Sequence, residues 1–129
     1  MLVKILLLAM AGAAGTLCRY AVHAATHRWL FPAPHGLFPW GTLVVNASGC
    51  LCFGLVFALT ESRLHLQPTT RLILLTGFMG AFTTFSTFAH DTTHLARAGS
   101  LPLAAVNLAV QNLAGLALAA VGFAIGSRL

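Results

Sequence analysis

Apolar positions fall into four long blocks along the chain, separated by short polar or proline-rich stretches. The blocks predict helices over residues 2–25, 41–59, 71–95 and 101–125, each near the roughly 20 apolar residues needed to cross a bilayer's hydrocarbon core. The first connection, Phe31-Pro-Ala-Pro-His-Gly-Leu-Phe-Pro-Trp40, carries prolines that forbid a continuous helix. Trp29 and Trp40 bracket it, as amphipathic rings do at a headgroup boundary. The second connection, Thr60-Glu-Ser-Arg-Leu-His-Leu-Gln-Pro-Thr-Thr70, is the most polar stretch of the chain. Met1 to Met10, with its single Lys4, resembles a signal peptide, but the apolar character runs on to Ala25, too far for one, and a retained first helix is expected. The whole reads as an all-α membrane protein, one transmembrane domain over residues 1–129.

The third block changes character partway. After Leu72 to Leu75 it continues as Thr76-Gly-Phe-Met-Gly-Ala-Phe-Thr-Thr-Phe-Ser-Thr-Phe88, where glycines and hydroxyl residues lower helix propensity. A plain lipid-facing helix would not be built this way. The pattern predicts a break near residues 80–84, and backbone groups freed inside hydrocarbon need protein, water or an ion as partner. Discontinuous helices at mid-membrane are where transporters place ion sites.

Composition supports the membrane reading. Of 129 residues, 58% are hydrophobic and only 7% charged, against about 25% charged in soluble domains. Mean hydropathy is +0.88, and four spans leave no room for a soluble domain. The net charge of +5 comes from Lys and Arg scattered singly, with no basic run to track phosphates, so nucleic acid is not an expected partner. Cys18, Cys50 and Cys52 show neither metal-site nor secretory disulfide spacing and are expected as buried free thiols.

Several polar residues fall inside the apolar blocks. Arg19 lies deep in the first, where an unpaired charge costs about 2.5–3.5 kcal/mol at a central position. It either serves function or snorkels to the interface. Thr42 and Asn46, at i and i+4, share one face of the second helix. Their amide and hydroxyl donors suit a small hard anion that exchanges water for protein hydrogen bonds, or they join helix to helix. Phe85 and Phe88, at i and i+3 around Ser86 and Thr87, either pack or offer positive ring edges to an anion. Carbonyls at a break over residues 80–84 are of the kind that coordinates Na⁺. Asp91, with His90 and His94, reads as a segment end near water rather than a metal site. Asn107, Gln111 and Asn112 lie in the N-terminal half of the fourth helix.

An even number of spans puts both termini on one side. Lys4, Arg63, Arg71 and Arg128 fall on that side and Arg28 and Arg97 on the other. So slight a bias hardly selects an orientation, and insertion in both directions is expected. Two copies could then pair antiparallel about a two-fold axis in the membrane plane. Small residues at Gly12, Gly15, Gly41, Ala47, Ser48, Gly49, Gly54, Ala109, Ala114, Gly115 and Gly122 offer faces for close helix contact, including contact with a second copy.

Three motifs resemble the CrcB/Fluc family of fluoride channels: Gly15-Thr-Leu-Cys-Arg-Tyr20, Gly41-Thr-Leu-Val-Val-Asn-Ala-Ser-Gly49 and the Thr76 to Phe88 run. The resemblance in length and span count covers the whole chain. It implies an antiparallel, dual-topology homodimer in the cell (inner or plasma) membrane, with two fluoride pores and a central structural Na⁺ held by the carbonyls of Gly80 and Thr83. It implies a fluoride pathway along Asn46, Thr42, Phe85, Phe88, Ser86 and Thr87, with Gln111 or Asn112 contributing from the fourth helix. Asp91 stands where the family usually has Glu. The mechanism implied is passive fluoride exit down its electrochemical gradient, with no catalytic machinery.

Two other classes compete. A small dual-topology multidrug transporter shares the size and span number, but Arg19 and the absence of an embedded Glu in the first helix disfavour it. An intramembrane enzyme built on Ser48 or Cys50 lacks a well-placed histidine, since His23, His27, His35, His65, His90 and His94 fall at predicted helix ends or loops.

Overall fold

The computed structural model describes residues 1–31, 36–62 and 66–129; the Ser62 side chain is not described. Pro32, Pro34 and His35 of the first connection and Arg63 and His65 of the second lie outside the described residues. Helix α1 (Leu2–Ala25) runs on through one π-helical turn, Thr26–Leu30, and α2 spans Trp40–Ser62. Helix α3 (Pro68–Leu72) opens with proline in its first turn, where no backbone donor is lost, so the third segment starts earlier than the apolar pattern alone suggests. A π-helical stretch, Ile73–Met79, leads into the single turn α4 (Gly80–Phe82). Helices α5 (Phe85–Arg97) and α6 (Leu101–Gly126) complete the chain. Grouped as Leu2–Leu30, Trp40–Glu61, Pro68–Arg97 and Leu101–Gly126, the described residues give four helical segments long and apolar enough to cross a membrane.

Between α4 and α5 the backbone of Thr83 (φ −81°, ψ 157°) and Thr84 (φ −146°, ψ 106°) is extended. Gly80 itself is helical at φ −64° and ψ −32°. The residues that leave the helix are therefore the β-branched threonines and not the glycine. Helix α5 restarts with Thr84 as its N-cap, the hydroxyl accepting the Thr87 amide at 3.2 Å. It ends at Arg97, and Gly99 (φ 77°) turns the chain just beyond the C-cap Ala98, where Ser100 N–H reaches Leu95 C=O and Gly99 N–H reaches Ala96 C=O, the paired bonds of a Schellman turn.

Helices α2 and α6 make the most extensive contact in the chain. A methyl group at Gly54 would collide with the Ala119 carbonyl, and one at Gly122 with the Leu51 carbonyl, so the two backbones touch directly. Helix α1 packs on the π-helical stretch and α4, with Gly15 against Phe78 and Ala81. Much of the small-residue surface expected to face a second copy is consumed inside one chain. Large side chains point outward instead: Leu17, Leu113 and Leu116 are about two-thirds exposed or more. Cys18 and Cys52 also face outward and only Cys50 is half-buried, so the expected burial of these free thiols does not hold. They occupy apolar helix faces that lipid can cover as well as protein.

Candidate functional site

Asn46 is the centre of a polar array inside the bundle. Thr84 N–H donates to Asn46 Oδ1 at 2.9 Å, and Asn46 Nδ2 donates to Thr84 C=O at 3.2 Å. The amide thus treats the extended threonine as a neighbouring strand would, satisfying both backbone groups that the helix leaves unpaired. Asn46 Nδ2 also donates to Gln111 Oε1 at 3.1 Å. From there the array continues through Gln111 Nε2 to Asn107 Oδ1 at 3.4 Å and Asn107 Nδ2 to Thr92 Oγ1 at 2.8 Å. Asn107 is fully buried and Gln111 nearly so. Among the described residues no buried side-chain donor or acceptor is left without a partner.

A cavity of about 260 Å³ opens beside this array. Asn46, Gln111 and Asn112 line it with Thr83 and Thr84, while Phe85 and Phe88 form an aromatic wall. The two rings meet edge to face, 5.5 Å between centroids at 64°. Phe88 is buried and Phe85 is 77% exposed, so the wall is open on its Phe85 side. Of the two fourth-helix candidates, Gln111 is bonded into the array. Asn112 donates back to Leu108 C=O on its own helix at 2.7 Å.

Thr42 lies elsewhere, in a second cavity of about 290 Å³ with Arg19, Tyr20, His23, Thr84 and Thr87. Its hydroxyl donates to Asp91 Oδ2 at 2.6 Å. Asp91 is therefore more than a segment end near water, as it ties α5 to the start of α2. The i and i+4 pair Thr42 and Asn46 shares a face, yet its members serve neighbouring cavities, with Thr84 lining both. Thr84 Oγ1 also pairs with Thr87 Oγ1 at 2.9 Å and Ser86 Oγ at 3.3 Å. Ser86 lines neither cavity.

At Gly80 and Thr83 the backbone is what a hard cation would meet. In an unbroken helix the Thr84 amide would donate to the Gly80 carbonyl; here it donates to Asn46. Gly80 is exposed and Thr83 is already extended. Oxygens freed in this way are of the type Na⁺ takes, so the residues present fit.

Asn107, Thr92 and the Thr42 to Asp91 bond were not assigned to the site by sequence reasoning. Asn107 and Gln111 stand at i and i+4, a spacing that signals a shared face. The Asp91 pairing, across 49 positions, leaves no local sign.

The fold and its polar array define a multi-pass, all-helical membrane protein with amide- and aromatic-lined cavities between its spans. The family described as CrcB-like protein, Camphor Resistance (CrcB), matches over residues 6–123, and the chain belongs to it. Curated relatives include the fluoride-specific ion channel FluC of Maridesulfovibrio salexigens, 48% identical over 95% of this chain and 94% of the relative. The fluoride-specific ion channel FluC of Nitrosococcus oceani is 47% identical, over 95% of this chain and 94% of its own. That of Nitratidesulfovibrio vulgaris is 46% identical over 95% and 96%.

Proposed function

We propose that this chain is a fluoride-selective ion channel subunit, not an enzyme, which lets fluoride leave the cell passively and so lowers its cytoplasmic level. The near full-length similarity to relatives named fluoride-specific channels carries this reading. A multidrug-type transporter is not favoured by the same comparison.

The pathway follows the donors. Fluoride enters the vestibule beside Arg19 and Thr42, where positive charge draws an anion. It then passes Asn46, Gln111 and the edges of Phe85 and Phe88, with Thr87, Ser86 and Asn112 at the margins. Since Asn46 Nδ2 is already bonded to Gln111 Oε1 and to Thr84 C=O, the ion exchanges with these partners and never binds without competition. Such exchange keeps binding weak enough for release, as conduction requires.

The open Phe85 side and the exposed Gly80 support completion of the pore by a second, antiparallel copy of the chain in the cell (inner or plasma) membrane. Gly80 and Thr83 carbonyls from both copies would hold a structural Na⁺, whose charge offsets anion repulsion and ties the two broken third spans together. The segment from Pro68 to Arg97 acts in this reading as one discontinuous transmembrane helix.

Efflux of fluoride from potassium-fluoride-loaded liposomes, with valinomycin present and an external fluoride electrode, tests the function. Fast fluoride efflux without chloride efflux, reduced in Phe85→Ile, is expected. No efflux from folded protein would overturn the reading.

A further inference from the structure

His23 and His27 stand at i and i+4 where the first span ends, with ring centroids 4.7 Å apart. Both rings turn Nε2 toward the same flank of Gly41. A methyl group placed on Gly41 would lie 2.5 Å from His23 Nε2 and 2.8 Å from His27 Nε2. Glycine at this position therefore lets two imidazole nitrogens from one helix face converge on a small region. The next residue, Thr42, holds Asp91 Oδ2 at 2.6 Å, and His90 Nδ1 lies 3.5 Å from Asp91 Oδ1. A carboxylate is thus fixed on Thr42, the residue after the glycine that both imidazoles flank, where its negative charge favours a cation nearby without ligating it.

We infer that His23 and His27 form a binding site for a first-row divalent metal ion, of the Zn²⁺ or Cu²⁺ class, at the mouth of the cavity lined by Arg19 and Thr42. Neutral imidazole suits these ions, and paired histidines at i and i+4 on one helix face are the arrangement by which helices chelate zinc. Both side chains are exposed and lie within two turns of Trp29, so an ion reaches them from the aqueous boundary. Two protein nitrogens leave the remaining positions to water, which makes the ion exchangeable and not a structural element. Arg19, lining the same cavity with His23, carries a charge of the same sign as the ion and so weakens its hold, which keeps the ion exchangeable. A dication at this place sits across the entrance to the vestibule and changes how an anion meets it.

The test is equilibrium binding of Zn²⁺ to the full chain in detergent, together with electron paramagnetic resonance of added Cu²⁺. One equivalent per chain is expected, weakened roughly tenfold or more in both His23→Gln and His27→Gln and unchanged in His94→Gln. The Cu²⁺ spectrum of the unsubstituted chain should carry coupling to imidazole nitrogens, a reading that needs no variant to fold. Absence of Zn²⁺ binding, affinity undiminished in both variants, or a Cu²⁺ spectrum without nitrogen coupling would overturn the site. None of these readouts involves fluoride flux, so the outcome stands apart from the channel reading.

Discussion

At the scale of single residues, Asn46 holds two functions in one amide. Its oxygen accepts from Thr84 N–H, and its nitrogen donates to Thr84 C=O and Gln111 Oε1. Asn46→Asp keeps the acceptor and deletes both donors, while adding a negative charge to the proposed anion route. The stranded carbonyl and amide oxygens cost about 1–3 kcal/mol each, and the charge repels fluoride. The expected result is a lowered thermal midpoint in detergent and loss of fluoride efflux; wild-type efflux from the Asp variant would remove Asn46 from the pathway. Thr42 makes a different bond, a charge-assisted one to Asp91 at 2.6 Å. Thr42→Val deletes it at nearly constant volume and is expected to cost about 1.5–3 kcal/mol, read as a fall in thermal midpoint that Asp91→Asn added on top does not deepen. Candidate donors such as Asn46 and Gln111 were legible because polar groups stand out against an apolar helix. Which partners Asn46 would choose was not, because Thr84 and Gln111 lie 38 and 65 positions away.

At the scale of elements, hydrophobic runs exposed the four spans plainly, since crossing a bilayer is a local property of length and composition. For the third span, glycines and hydroxyl residues together predict a break near residues 80–84 but not which residues in it leave the helix. Within that range the extended residues are Thr83 and Thr84, because Asn46 on a different helix supplies the hydrogen bonds that make extension affordable there. Thr84 then caps α5. Thr84→Ala is expected to remove that cap at a cost of about 0.5–2 kcal/mol, whereas Thr84→Ser, which keeps the hydroxyl, should hold the thermal midpoint near that of the unsubstituted chain. Equal losses in both would assign the effect to the methyl group and not to capping. The small residues give the opposite lesson. Read along the chain they offered a face for a second copy, but the contact of α2 with α6 takes Gly54 and Gly122 into the protomer itself. Sequence shows that a close approach occurs and not which helix makes it.

At the scale of the whole molecule, a single chain leaves Phe85 and Gly80 uncovered while its polar array is internally satisfied. The open wall of the proposed ion route leaves a place for the proposed second copy, and the charge pattern bears on the orientation in which that copy would arrive. In the topology expected from the sequence, Lys4, Arg63, Arg71 and Arg128 fall on one side of the membrane and Arg28 and Arg97 on the other, a difference too small to hold every chain in one orientation. Glu61, 3.3 Å from Arg71, does little to alter this, since acidic residues contribute weakly to the rule. The proposed mixed orientation rests on so small a bias, and the proposed antiparallel pairing needs nothing more than that both forms meet in the same bilayer. A topology reporter fused after Leu129 should give signal on both faces of the membrane in one population of cells. Adding two lysines beside Lys4 should drive the signal to one side and abolish efflux, because chains all of one orientation have no antiparallel partner. Full efflux from a population fixed in a single orientation would mean that the pore is closed by a parallel copy or by the protomer alone.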